Sequence, residues 1–302
     1  MLTWENLNED NEKELENYNI YSKNFNVLNR DFLTEYYYSN FLKKFFLRKK
    51  CKILRMSNSL VGFLWGDSLK SDRCFINEFY MLPNLELDKM DLNVFEEIFP
   101  SECRIAYICE DNPLNQSVLT QLKFKRKNSI IEMKLDIKDY RFMDDAQVNE
   151  YLSFETIQEG LHEKIRCSVQ NNIFQSNSRV PLTHADIIED EKQSYYIKGG
   201  GIFLKYKGEY IGYTQVIRES GFLTIVNFGI IPQHRRKGYG KILIDRIIKL
   251  CNKSYPKETI IKIKVYDNND AAINLYKSMG FIENKKISTW ILTKSKLLMD
   301  KI

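Results

Sequence analysis

A loop at Pro232-Gln-His-Arg235-Arg-Lys-Gly238-Tyr-Gly240 brings together residues suited to holding an anion. Its glycines let main chain approach a ligand closely. A helix follows, Lys241-Ile-Leu-Ile-Asp-Arg-Ile-Ile-Lys-Leu-Cys-Asn-Lys253, with apolar positions 243, 244, 247, 250 and 251 on one face. The start of a helix offers unpaired N–H groups and the positive end of its dipole. Strand, glycine loop and helix in that order form a cradle for a diphosphate, with Arg235, Arg236 and Lys237 adding charge around it. The spacing is neither a Walker A loop nor the dinucleotide glycine fingerprint. Taken alone it reads equally as a solvated basic turn.

The neighbouring elements extend the pattern. The preceding strand, Leu223–Ile231, contains Gly229, and a lone glycine inside a strand suggests a bulge. A bulge would splay that strand from its neighbour and open a slot. Next comes a strand over Ile260–Tyr266. Asn268, Asn269 and Asp270 then cap a helix that runs to about Met279, and Gly280 stops it. This helix presents Tyr276, which by helical pattern alone would be a core or surface aromatic.

The chain repeats itself once. Val265-Tyr-Asp-Asn-Asn-Asp-Ala-Ala-Ile-Asn-Leu-Tyr-Lys-Ser-Met-Gly-Phe281 aligns with Ile108-Cys-Glu-Asp-Asn-Pro-Leu-Asn-Gln-Ser-Val-Leu-Thr-Gln-Leu-Lys-Phe124. Ile225-Val-Asn-Phe-Gly-Ile-Ile-Pro232 aligns with Ile76-Asn-Glu-Phe-Tyr-Met-Leu-Pro83, and Tyr210-Ile-Gly-Tyr-Thr-Gln215 with Leu60-Val-Gly-Phe-Leu-Trp65. Two copies indicate duplication; a solenoid needs at least about three. The join falls near Asp136 to Asp145, which predicts two domains, 1–138 and 139–302. Each copy opens with a helix-rich segment, Asn11 to Lys50 and Asp144 to Ser178.

A length of 302 residues agrees with two domains. The six cysteines form no Cys-x-x-Cys pair and read as reduced core residues. Neither metal-ligand spacing nor a triad surrounds the histidines: His162 and His184 are isolated, and His234 reads as a solvated surface residue. The net charge of +5 is too diffuse to argue for nucleic acid. No apolar run approaches the roughly 20 residues of a membrane span. The polar N-terminus lacks a signal pattern, so the sequence reads as cytoplasmic, with no membrane partner. Oligomeric state leaves no trace.

With these residues in hand, the chain resembles the GNAT (GCN-five-related N-acetyltransferase) superfamily over roughly Gly200 to Leu292. The resemblance rests on Arg235-Arg-Lys-Gly-Tyr-Gly240 and on Asn269-Asp-Ala-Ala-Ile-Asn-Leu-Tyr276-Lys-Ser-Met-Gly280-Phe281. The duplicated layout is similar to tandem members such as mycothiol synthase. The resemblance implies an α/β (α+β) chain of two tandem domains, each with a mixed, mostly antiparallel sheet and flanking helices. It implies acetyl-CoA as cosubstrate, with no metal, and transfer to a primary amine of a small molecule by direct attack. The main chain of Phe228, Gly229 and Ile230 would pair with the pantetheine arm. Amides from Arg236 to Lys241, including Lys237, Gly238, Tyr239 and Gly240, would hold the pyrophosphate. Asn269 would contact the arm, and Tyr276 would protonate the leaving thiolate. An N–H near Ile230 would serve the oxyanion.

The first copy departs at the corresponding places. After Pro83 it reads Asn-Leu-Glu-Leu-Asp-Lys-Met, without glycines, and Leu119 and Lys123 stand at the positions of Tyr276 and Gly280. It is expected to keep the fold without the cofactor site. A general base is missing from the strand before the loop, which offers Thr224 and Asn227 but no acid. Glu219 and Tyr213 are the nearby alternatives. Two other functions stay open: acetylation of a protein or peptide amine, and a non-catalytic CoA-binding sensor or scaffold.

Overall fold

The computed structural model describes residues 2–82, 85, 97–144, 150–177 and 179–294. The segment after Pro83 that lacks glycines lies, apart from Leu85, outside the described residues. The chain divides into two compact units, Met1–Ile130 with Lys285–Ile302, and Ile131–Asn284. The division differs from the contiguous split 1–138 and 139–302. Burial explains the difference: Trp290 and Leu292 belong to the first unit's core, while Ile131, Met133 and Leu135 belong to the second's.

In the first unit, β1 (Leu2–Asn6), β2 (Cys51–Met56), β3 (Ser59–Gly66), β4 (Arg73–Met81) and β5 (Cys103–Glu110) lie in chain order. The late strand β12 (Ile282–Lys294) pairs antiparallel with β5 from Ile287 to Lys294. Among the described residues of this unit only β4 and β5 run parallel. Helices α1 (Glu9–Phe25), α2 (Phe32–Tyr37), α3 (Phe41–Lys50) and α4 (Pro113–Gln121) complete the described part. Within β3 every residue after Ser59 is buried, as expected for a strand covered on both faces.

The second unit repeats this plan. β6 (Lys125–Asp136) enters it at Ile131 and is followed in the sheet by β11 (Ile260–Tyr266), β10 (Phe222–Ile230), β9 (Glu209–Glu219), β8 (Tyr196–Tyr206) and β7 (Leu152–Thr156). Here β10 and β11 run parallel, while β10 with β9, β9 with β8 and β8 with β7 run antiparallel, so the sheet is mixed and mostly antiparallel in each unit. Helices α5 (Glu163–Ile173), α6 (His184–Glu191), α7 (Tyr239–Ser254) and α8 (Asp270–Ser278) flank it. The repeated residues fall on repeated elements. Pro113–Gln121 and Asp270–Ser278 are equivalent helices, capped by the side chains of Asn112 and Asn269. Ser57 and Lys207 both take positive φ at the matching hairpin turns.

Each unit buries a charged group on a helix-to-sheet contact. In the first unit it is Glu78 of β4, fully buried. One carboxylate oxygen accepts from the Ser22 hydroxyl and the other from the Phe32 N–H at 2.8 Å. Burial is the largest influence and pushes its pKa up to about 7. The folded chain therefore keeps a proton between the ordinary carboxylate range and pH 7 that the unfolded chain has released. Stability must fall as pH rises through that window, by roughly 3 kcal/mol in total. Glu78→Gln keeps an acceptor for Phe32 and a donor for Ser22. The variant is expected to lose this pH dependence in denaturant melts between pH 4.5 and 8; an unchanged slope would refute the assignment.

Candidate active site

Strand β10 creates the opening in the second unit. Its register with β11 runs from Leu223↔Ile261 to Ile225↔Ile263 and ends there. On the other edge its register with β9 shifts between Val226 and Gly229. The residues at the shift are Asn227 and Phe228, and Asn227 takes φ 53°, a conformation Asn tolerates better than most residues. The bulge anticipated from Gly229 is present, but Asn227 is the residue in the left-handed region. Glycine at 229 answers a different need. A Cβ there would lie 2.2 Å from Ile173 Cγ2, so α5 packs onto the bulge only when position 229 has no side chain.

Main-chain direction follows from the register. The Ile231 N–H donates to the Ile211 carbonyl of β9 at 2.9 Å. Successive amides in a strand point to opposite edges, so the Ile230 N–H faces the opening toward β11.

The loop is set by two left-handed residues, Arg236 with φ 61° and Gly238 with φ 81°. Gly238 is the N-cap of α7 and provides no side-chain bond to the helix amides. The Arg235 N–H donates to the Pro232 carbonyl and the Lys241 N–H to the Gly238 carbonyl. The Lys241 amide, expected to face a ligand with those of Arg236 to Gly240, is thus engaged within the turn, although Lys241 lines the cleft. A Cβ at Gly240 would come within 3.1 Å of Leu275 Cδ2, so the second glycine permits the close approach of α7 to α8.

A cleft of about 690 Å³ runs from this loop along the opening to α8. Every cofactor-binding residue singled out in the sequence lines it except Lys237. Ile173, Phe174, Ala272 and Leu275 supply apolar walls. Arg235 is more engaged than a phosphate contact implies. Its Nε donates to the Ile230 carbonyl at 2.9 Å and its Nη2 to the Ile173 carbonyl at 2.7 Å. It is a strut between the bulge and the end of α5. The Asn269 Oδ1 accepts from the Ala272 N–H at 3.2 Å, so its carbonyl caps α8 while the residue lines the cleft.

Tyr276 is 5% exposed, and its ring lies edge-on to Phe228 with centroids 5.9 Å apart. Its hydroxyl has no hydrogen-bond partner among the described residues. Burial holds the phenol well above its ordinary value, so it keeps its proton throughout the neutral range. His234 departs from the solvated reading: it lines the cleft, and its ring lies near those of Tyr206 and Tyr239. His162 is structural, with Nδ1 accepting from the Gln158 N–H at 3.0 Å.

A second pocket, about 350 Å³, lies across the bulge, lined by Arg166, Gln170, Asp186, Asp190 and Asn227 among others. Adjacent residues of β10 therefore face the two spaces, Asn227 this pocket and Phe228 the cleft. Arg166 is 1% exposed. It pairs with Asp190, with Glu191 at 3.3 Å and with Gln215 at 3.0 Å. Gln170 is 2% exposed, and its Nε2 has no partner among the described residues. Sequence reading missed this pair, although 166, 170 and 173 follow the helical spacing of a buried stripe. Of the candidate bases, Glu219 is bound to Lys264 at 2.7 Å, and the buried Tyr213 hydroxyl donates to Gln215 at 3.0 Å. Neither lines the cleft. Among the described residues no group of three or more His, Cys, Asp or Glu is placed to hold a metal.

The site is a sheet that opens at a bulge beside the uncapped start of a helix. Residues 168–281, which contain the whole cleft, match the Acetyltransferase (GNAT) family profile. This part of the chain is similar to the GNAT superfamily. An N-alpha-acetyltransferase of Sulfurisphaera tokodaii is 32% identical over 90 residues, covering 26% of this chain and 53% of that protein. The chain thus spans about half the length of that curated relative. A spermine/spermidine N(1)-acetyltransferase of Bacillus subtilis is 26% identical over 108 residues, covering 33% of this chain and 69% of that one. The crystal structure of a GCN5-related N-acetyltransferase from Sphaerobacter thermophilus superposes with a TM-score of 0.60 at 11% identity, covering 97% of this chain and 96% of that one. The last is a likeness of fold.

The Gly229–Ile173 contact can be tested directly. Gly229→Ala is expected to destabilise by about 1–3 kcal/mol, the usual cost of overpacking. In a double-mutant cycle with Ile173→Ala, denaturant melts should show a coupling of at least about 0.5 kcal/mol. Strictly additive losses would remove the packing account.

Proposed function

We propose that the second unit is an N-acetyltransferase that moves an acetyl group from acetyl-CoA to a primary amine of a small molecule by direct attack. The observation that carries this reading is the continuous cleft from the Arg236–Gly240 amides, past the open edge of β10, to Tyr276. The residues fit the cosubstrate. Left-handed Gly238 and the uncapped start of α7 suit a diphosphate. The Phe228–Ile230 main chain offers strand-like bonds to an amide-bearing arm. Acetyl-CoA, when bound, supplies the thioester whose acetyl group is transferred.

The chain's own groups have three tasks. The α7 amides and Lys241 position the cosubstrate, so that reaction proceeds by proximity. The Ile230 N–H donates to the carbonyl oxygen as negative charge grows there. Tyr276 gives its hydroxyl proton to the departing sulfur as the C–S bond breaks and the N–C bond of the neutral amine forms; the nitrogen then loses its surplus proton to solvent, from which the Tyr276 oxygen is reprotonated. Burial keeps the phenol protonated until the sulfur departs.

The amine would approach from the pocket beside Asn227, which Asp186, Glu189 and Asp190 line together with Arg166 and Arg179. The spermine/spermidine relative supports a small amine. The N-alpha-acetyltransferase relative supports a peptide amine as the second reading. The absence of a carboxylate from β10 favours the third, a CoA-binding sensor. The first unit would be a scaffold: Tyr80 stands at the position of Gly229, its ring packed among Tyr18, Tyr21, Phe25 and Phe63.

Release of CoA from acetyl-CoA, measured across polyamines, aminoglycoside-type amines, amino acids and peptides, separates these readings. Turnover on small amines is expected; turnover on peptides alone would select the second, and tight binding without turnover the third. Tyr276→Phe should lower kcat by about a hundredfold or more while acetyl-CoA affinity in calorimetry stays within a few-fold. Equal losses in both would remove the acid role. A bulky residue at Gly240, as in Gly240→Val, should abolish acetyl-CoA binding; retained binding would contradict the cradle itself.

A further inference from the structure

The first unit carries a face that acetyl transfer does not use. Helix α3 reads Phe-Leu-Lys-Lys-Phe-Phe-Leu-Arg-Lys-Lys, and its single buried residue is Leu47. Phe41 is 83% exposed, Leu42 68%, Phe45 51% and Phe46 59%. Residues four apart share a helical face, so 41 with 45 and 42 with 46 form one apolar stripe opposite Leu47. Tyr38, 91% exposed, stands at the end of α2. An isolated exposed apolar side chain needs no explanation, but a contiguous stripe marks an interaction surface.

Charge then selects the partner. The ten residues of α3 hold five cations and no acid. Lys44 and Arg48 flank the stripe on one side, Lys43 and Lys50 on the other, and Lys49 lies over the Phe45 ring at 4.1 Å. Arg48 is held by Glu9 and Glu12, and Lys43 by Glu35. Lys44, Lys49 and Lys50 have no carboxylate partner among the described residues. A second copy of this face would set cations against cations, which disfavours symmetric pairing. A nucleic acid would be met first by phenyl and leucyl groups, with Lys49 among them and the other four cations set to the sides. An outermost apolar stripe between two rows of cations is the arrangement of a helix lying in a membrane interface, with apolar groups among acyl chains and ammonium groups at the phosphates.

We infer that α3 of the first unit is a peripheral docking surface for an anionic lipid membrane. This reverses the expectation of no membrane partner, which rested on the lack of a long apolar run. A ten-residue amphipathic stripe contains no such run. No helix of the described residues is long and apolar enough to cross a membrane, and surface docking requires none.

The test is sedimentation of the full chain with vesicles of phosphatidylcholine alone, and of phosphatidylcholine mixed equally with phosphatidylglycerol. The full chain should pellet with the mixed vesicles at low salt, and at least about tenfold less with phosphatidylcholine alone or at high salt. Phe41→Ser with Phe46→Ser should lower partitioning at least about tenfold, because the stripe supplies insertion. Lys44→Gln, Lys49→Gln and Lys50→Gln should each lower it about fivefold. All five side chains are exposed or half-exposed and lie outside the second unit, so unchanged thermal melts and CoA binding provide the fold control. Failure of the full chain to pellet with the mixed vesicles would overturn the inference. So would full binding by the Phe41→Ser, Phe46→Ser chain, or retention of duplex DNA binding by that chain in place of vesicle binding.

Discussion

The contact of Ile173 with the main chain at Gly229 fixes where the second unit's sheet opens. Helix α5 can settle on β10 only because position 229 lacks a Cβ, and Arg235 then clamps the end of α5 to the Ile230 carbonyl. With α5 seated, Asn227 and Phe228 are displaced from the register with β9, and β10 parts from β11 beyond Ile225. The cleft, the orientation of the Ile230 N–H and the division of Asn227 from Phe228 between two pockets all lie at this contact. Loops carry much of the ligand-facing chemistry in such folds, but rigid elements set the geometry.

The two units show what duplication preserves. Strands β1 and β7, β4 and β10, and helices α4 and α8 occupy equivalent segments. Even the helix stop is kept where its residue has changed: Lys123 holds φ 63° where Gly280 holds 87°. A lysine there bears a conformational cost that glycine avoids, so the turn is dictated by the fold and not by the residue. What differs is the β4–β10 position of the opening. Tyr80 fills with an aromatic ring the place that Gly229 leaves clear, and the first unit builds its core there from Phe25, Phe63 and Phe79.

Buried polar groups divide in the same way. The first unit surrounds Glu78 with donors from Ser22 and Phe32, leaving the carboxylate enclosed. The second unit encloses a cation, Arg166, among Asp190, Glu191 and Gln215. An unpaired buried charge is costly, so both networks hold a helix in one position on the sheet. The second also lines a pocket with Gln170, whose amide nitrogen has no partner among the described residues.

Local chemistry made much of the site legible in the sequence. Gly238 and Gly240, the cap at Asn269, the stop at Gly280 and the periodicity of α7 are short-range signals, because caps, turns and amphipathic faces are decided within a few residues. The repeat gave the two-domain order for the same reason. Tertiary packing alone decided the rest. It placed the left-handed residue at Asn227 and assigned Gly229 to a contact with α5. It turned Arg235 into a strut and His234 toward the cleft, and it gave β12 to the first unit's core. These outcomes depend on side chains distant in sequence, such as Ile173 against Gly229, whose meeting no local pattern encodes.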